Sequence, residues 1–146
     1  MARVLIVDDE PRVRELMRRQ LEHSGHDLFD AEDAQAALDL MAETPCDVIF
    51  CDIQMPGRDG LWLTGELRKL YPMSAVVLAT GVSSVPPKVS MQAGVLAYLV
   101  KPFTRQALLT SLATAAQWVD DTKTHGVKPE DQGTNLTDWL DELKDL

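Results

Sequence analysis

The sequence predicts an α/β fold: a doubly wound, five-stranded parallel sheet with helices on both faces. Three observations carry this. A short apolar run followed by a helical pattern recurs five times along the chain. Two of the runs, Val4-Leu5-Ile6-Val7 and Val48-Ile49-Phe50-Cys51, are apolar at every position, as strands covered on both faces must be. Both runs close on acid, Asp8-Asp9 after the first and Asp52 after the second. Open sheets of this kind bind ligands outside the carboxyl ends of their strands, so chemistry and topology point to the same place.

The elements follow in order. After the first strand, Pro11 suits a helix start, and Val13, Leu16, Met17 and Leu21 recur at helical spacing until Ser24-Gly25. Leu28-Phe29 is a short second strand, and Asp33 can cap a helix carrying Ala34, Ala37, Leu38 and Met41. Residues 47–51 form the third strand. The turn-rich Met55-Pro56-Gly57-Arg58-Asp59-Gly60 precedes a helix marked by Leu61, Leu63, Leu67 and Leu70. Residues 75–79 form the fourth strand. Pro86 and Pro87 cannot lie inside a helix, so a short fourth helix is expected to begin there and end at Gly94. Residues 95–100 are the fifth strand. Lys101-Pro102 opens a loop, and Leu108, Leu109, Leu112, Ala115, Ala116 and Val119 mark the fifth helix. One domain over residues 1–120 is expected, then a polar linker over 121–135 and a short amphipathic helical tail over 136–146. The tail's stripe of Leu136, Trp139, Leu140 and Leu143 either docks on something, the same domain, a second copy or a partner, or belongs to a frayed terminal helix.

Composition narrows the function classes. A chain of 146 residues, 45% of them hydrophobic, can bury one sizeable core. Its net charge of −9 argues against direct nucleic-acid binding, because phosphates need Lys and Arg. No run of 18 apolar residues suggests a membrane span, and Arg3 followed by a strand and acids does not read as a signal peptide, so a cytoplasmic location is expected. Cys46 and Cys51, separated by roughly 16 Å along a strand, are expected as buried, reduced thiols.

Asp8, Asp9, Asp52, Thr80 and Lys101 all end strands, yet the last four stand 43, 28 and 21 residues apart in turn, so only the fold can gather them. Three gathered carboxylates repel one another unless a cation compensates. Magnesium is the natural one, since it takes oxygen ligands and keeps several waters. A carboxylate can also accept a phosphoryl group. Asp52 suits the acceptor. Asp9 would hold the metal directly, Asp8 directly or through water, and the backbone carbonyl of Gln54 is a further candidate ligand. Lys101 can pair with Asp52 before phosphorylation and with the phosphate afterwards. The Thr80 hydroxyl can donate to a phosphate oxygen. Taken singly, each has a plainer role: helix caps for Asp8 and Asp9, a polar strand end for Thr80, a surface charge for Lys101, core for Tyr98.

Val4-Leu5-Ile6-Val7-Asp8-Asp9-Glu10, the run from Asp52 to Gly60, Thr80-Gly81 and Tyr98-Leu99-Val100-Lys101-Pro102-Phe103 resemble the motifs of response-regulator receiver domains, the CheY-like superfamily of two-component signalling. The resemblance covers roughly residues 2–119. It implies the flavodoxin-like (βα)5 fold with strand order 2-1-3-4-5. It further implies phosphorylation of Asp52 by a sensor histidine kinase or histidine phosphotransfer protein, with Mg2+ required and a contact from the Gly81 amide to the phosphate. Slow self-phosphorylation and self-dephosphorylation are implied in place of enzymatic turnover. Thr80 and Tyr98 match the family's switch pair, which remodels the face of the fourth helix, fifth strand and fifth helix for a downstream protein, an output domain or a homodimer. Two departures stand out. Val82, with Gln54, lines the approach of hydrolytic water where many receivers are polar, and Pro86-Pro87 replaces the usual start of the fourth helix.

Competing readings make distinct demands. An N-terminal receiver fragment of a longer regulator would carry the same residues. A metal-dependent phosphatase with an aspartyl-phosphate intermediate needs a second acid two residues after its nucleophile, where Gln54 cannot shuttle protons. A flavin-binding module needs a Ser-, Thr- or Gly-rich phosphate loop, whereas Asp8-Asp9-Glu10-Pro11 would repel a phosphate.

Overall fold

The structure is a computed structural model and describes residues 2–81 and 95–126. The expected fourth helix from Pro86 to Gly94, with Val82, and the tail over 136–146 lie outside the described residues. The described elements are β1 (Arg3–Val7), α1 (Pro11–Leu21), β2 (Asp27–Ala31), α2 (Ala34–Glu43), β3 (Val48–Asp52), α3 (Gly60–Leu70), β4 (Ala75–Thr80), β5 (Val95–Val100) and α4 (Arg105–His125). The strands pair in parallel in the order β2-β1-β3-β4-β5, as the resemblance implied.

Strand alternation divides the core into two layers. Val4, Ile6, Val48, Phe50 and Val77 face Met17 and Leu21 of α1 and Leu108, Leu112 and Ala115 of α4. Leu5, Val7, Ile49, Cys51, Val76 and Leu78 face Ala37 and Met41 of α2 and Leu63 and Leu67 of α3. Each large apolar side chain so buried contributes roughly 1.5–3 kcal/mol. The two acid-tipped strands, β1 and β3, lie centrally in this sandwich, which is why they are apolar throughout. Cys46 and Cys51 are free and buried. Burial first, and the charge of Asp47 second, pushes the Cys46 thiol up to about 11.

The helix starts bear out the local chemistry. Asp33 accepts from the Ala36 amide, Asp59 from the Trp62 amide and Thr104 from the Ala107 amide, each satisfying an amide that the first turn leaves open. Asp33→Ala is expected to cost about 1 kcal/mol, read as a lower urea midpoint at unchanged slope; no change would remove this cap from the account.

Two boundaries differ most from expectation. β2 extends beyond Leu28-Phe29 to Asp27 and Ala31, because an edge strand can leave Asp27 and Asp30 exposed while its backbone still pairs with β1. α4 runs five residues past Asp120, into the stretch expected to be linker from 121 onwards. Val119 and Thr122 keep its inner stripe buried, Gln117 donates to Asp121, and Lys123 reaches Asp47 at 3.1 Å. A helix needs an apolar stripe on one side only, so a polar outer face resembled a linker. Gly126, at φ +79°, ends it.

Candidate functional site

The loops that follow β1, β3 and β5 meet at one end of the sheet. Register does the placing: Val7 stands beside Cys51, and Asp52 beside Ala79, so the acids that follow β1 and close β3 emerge side by side. Backbone bonds hold the loop starts, from the Asp8 amide to Ala31 and from the Ile53 amide to Ala79.

Lys101 arrives from the far side of the sheet. Its Nζ lies 2.8 Å from Asp8 Oδ2 and 3.2 Å from Asp52 Oδ2, bridging carboxylates that come from separate strands. Asp8 is 1% exposed and Asp52 4%. The remaining oxygens are also engaged: Asp8 Oδ1 accepts from the Glu10 amide at 2.9 Å, and Asp52 Oδ1 from the Gln54 amide at 3.2 Å. Burial raises the pKa of Asp52 above the usual carboxylate range; Lys101 opposes the rise and Asp8 adds to it. Burial alone would pull the Lys101 ammonium down, but its hydrogen bond to Asp8 and the charges of Asp52 and Asp8 outweigh that and hold its pKa up.

Next to this bridge, ligand oxygens of Asp8, Asp9 and Glu10 lie within 4.8 Å of one another. Asp8 is buried, Asp9 half-buried and Glu10 exposed, so the cluster runs from the interior to solvent. Among the described residues neither Asp9 nor Glu10 pairs its carboxylate with a cation. Hard oxygen donors at this spacing, open to water on one side, fit a hydrated divalent ion such as magnesium, which binds through one or two carboxylates and retains waters.

The structure therefore brings Asp8, Asp52 and Lys101 together, and groups Asp9 with Asp8. Gln54 takes part through its amide, which donates to Asp52 Oδ1; among the described residues no hydrogen bond joins the Gly81 amide to Asp52. Thr80 ends β4 opposite Val100, and Tyr98 lies on β5 opposite Leu78. The side chains of both lie outside the described residues.

Three residues escaped the sequence reading. Glu10 was legible as a third consecutive acid. Arg14 donates from Nη1 to the Asp8 carbonyl at 2.6 Å; its position on the first turns of α1 was the available signal. Gly60 starts α3 directly against the Asp52 backbone, where a Cβ would meet the Asp52 carbonyl oxygen at 2.0 Å. Only coordinates reveal that.

The response regulator receiver domain family matches residues 4–113. Among solved structures, the chain is similar to NtrX from Brucella abortus, at 30% identity and a TM-score of 0.77, over 84% of this chain and 28% of that one. It is also similar to a response regulator receiver domain protein from Clostridium thermocellum, at 28% identity and a TM-score of 0.72, covering 85% of this chain and 98% of that one. A third is the response regulator TrrA from Thermotoga maritima, whose structure is in complex with Mg(2+)-BeF; it is 33% identical with a TM-score of 0.71, over 79% of this chain and 99% of that one. This chain thus spans about 28% of the length of NtrX.

Proposed function

This chain belongs to the response regulator receiver family, a family of signalling phosphoacceptors, and from that membership we propose that Asp52 is the acceptor here. The observation that carries the reading is the Lys101 bridge, at 2.8 Å to Asp8 and 3.2 Å to Asp52. Asp52 ends β3 on a short, fixed arm. One carboxylate oxygen attacks the donor phosphorus, the phosphorus–donor bond breaks, and the donor group leaves with that electron pair. Lys101 stays within reach of the new phosphoryl oxygens, so the same ammonium serves before and after transfer. Asp8, Asp9 and Asp52, with the Gln54 carbonyl, would hold magnesium, which supplies charge neutralisation on the phosphoryl oxygens. The Mg(2+)-BeF complex of TrrA supports the same metal for this chain.

The family implies kinases or phosphotransfer proteins as upstream partners and an output partner or domain downstream. For this chain we assign the donor to a sensor histidine kinase or histidine phosphotransfer protein in the cytoplasm. Small phosphodonors would label it slowly, and the label would decay by self-dephosphorylation. The Thr80 hydroxyl and the Gly81 amide would meet the phosphate, Tyr98 would follow Thr80, and the face containing β5 and α4 would change for a downstream protein or a second copy. No described helix is long and apolar enough to cross a membrane. A second reading makes the domain one module of a longer regulator, supported by its 28% share of NtrX; the length of the gene product decides it.

Acetyl phosphate with Mg2+ is expected to add one phosphate to the wild type and none to Asp52→Asn, followed by intact-protein mass spectrometry. Undiminished labelling of the Asn variant would place the acceptor elsewhere.

A further inference from the structure

Arg14 makes two contacts that the phosphoacceptor reading does not use. From the fourth position of α1, its Nη1 donates to the backbone carbonyl of Asp8 at 2.6 Å, and its Nε lies 3.3 Å from Asp30 Oδ2 on β2. Arg18, one turn further, reaches Asp30 Oδ1 at 3.6 Å. Arg14 is mostly covered, with 16% of its side chain exposed. A guanidinium is a planar fork, suited to spanning two acceptors at fixed angles.

The carbonyl it grips belongs to the Asp8–Asp9 peptide. That unit is planar, so fixing the carbonyl direction also fixes where the Asp9 amide and Cα stand. Asp8 has its own restraints, from Ala31 through its amide and from the Glu10 amide and Lys101 through its carboxylate. Asp9 has no comparable side-chain anchor: among the described residues its carboxylate accepts no hydrogen bond. Its aim depends on the backbone, and the backbone there is held by Arg14. A cation beside three acids would by charge alone oppose a metal, and Asp30, shared with Arg18, offsets part of that charge.

We propose that Arg14, braced by Asp30, is a positioning residue for the divalent cation, orienting the Asp8–Asp9 peptide so that Asp9 is preset as a ligand. The inference rests on reading Asp8 and Asp9 as magnesium ligands. Groups that orient metal ligands typically matter tenfold to a hundredfold in affinity when lost. The sign is diagnostic. Arg14→Gln removes a positive charge, so a purely coulombic role predicts tighter magnesium binding, a purely structural role predicts none of the affinity change, and positioning predicts weaker binding.

The test is a Mg2+ titration of the full chain by calorimetry, with melting temperatures in chelator as a check on folding. Arg14→Gln and Asp30→Asn are each expected to weaken Mg2+ affinity about tenfold. Wild-type or tighter affinity in Arg14→Gln, whatever its melting temperature, overturns the inference. Should that variant not fold, Arg14→Lys decides the matter: it keeps the positive charge and loses the planar fork, so positioning predicts weaker binding and wild-type affinity overturns the inference. Asp9→Ala is the control: if the wild type takes up no Mg2+, or Asp9→Ala binds as the wild type does, the ligand assignment fails and the inference falls with it, whereas a failure confined to Arg14→Gln leaves that assignment standing.

Discussion

Gly60→Ala is expected to unseat Asp52 and to destabilise the domain by about 3 kcal/mol, through overpacking against backbone that cannot yield. A Cβ at this position would lie 2.0 Å from the Asp52 carbonyl oxygen, 2.8 Å from its carbon and 2.9 Å from Ile53 Cα. A flexible side chain would swing aside; a strand end cannot. The Gly60 amide already donates to the Ile53 carbonyl at 3.0 Å, and the Gly60 carbonyl accepts from Thr64 at 2.7 Å, so α3 is tied to the site at its first residue. The constraint is space and not left-handed backbone. Relief requires moving either α3, which carries Leu63 and Leu67 in the core, or the residue that would take the phosphoryl group. Urea unfolding measures the loss, and acetyl phosphate labelling measures the shift at Asp52. A stability change within about 0.5 kcal/mol would mean that the contact relaxes freely and that Gly60 is not a spacer.

Most of this architecture was legible in the residues. β1 and β3 declared themselves because central strands of a doubly wound sheet are apolar on both faces, and their terminal acids marked the site. Asp33 announced its helix because an N-cap is a local interaction between neighbours in sequence. What stayed hidden was non-local. Nothing in the order of residues says that Lys101 comes closer to Asp8 than to Asp52, since that depends on how the loop after β5 crosses the sheet end. The grip of Arg14 on the Asp8 carbonyl depends on the rotation of α1 over β2. The last turn of α4 read as linker because its outward residues are polar and its anchor, Asp47, lies 76 residues away.

Lys101→Met tests the bridge itself. Removing the ammonium leaves two buried carboxylates, Asp8 and Asp52, facing each other without a cation. Breaking a fully buried pair in this way costs about 3–5 kcal/mol; with 22% of the Lys101 side chain exposed, about 2 kcal/mol is expected near pH 7. The pH dependence follows from the pKa directions. Asp52 is already raised by burial, and Lys101 is the group that opposes the rise, so the variant raises it further. An acid with a higher pKa folded than unfolded holds more protons in the folded state between those two values. Stability therefore increases as pH falls through that window and is lost as pH rises out of it. The Lys101 contribution, with its own pKa raised, is fully present below the ordinary lysine value and fades only as pH climbs through the folded one. In neutral and mildly acidic solution that part is constant. Metal-free unfolding of both proteins from about pH 7 downwards is thus expected to show the gap between them narrowing on acidification, because Asp52 takes up its proton earlier in the variant and then no longer needs its counter-ion. A gap that widens with acid would mean that Asp8 and Asp52 do not share Lys101 as their compensating charge, and with that the observation behind the proposed role of Asp52 would be lost.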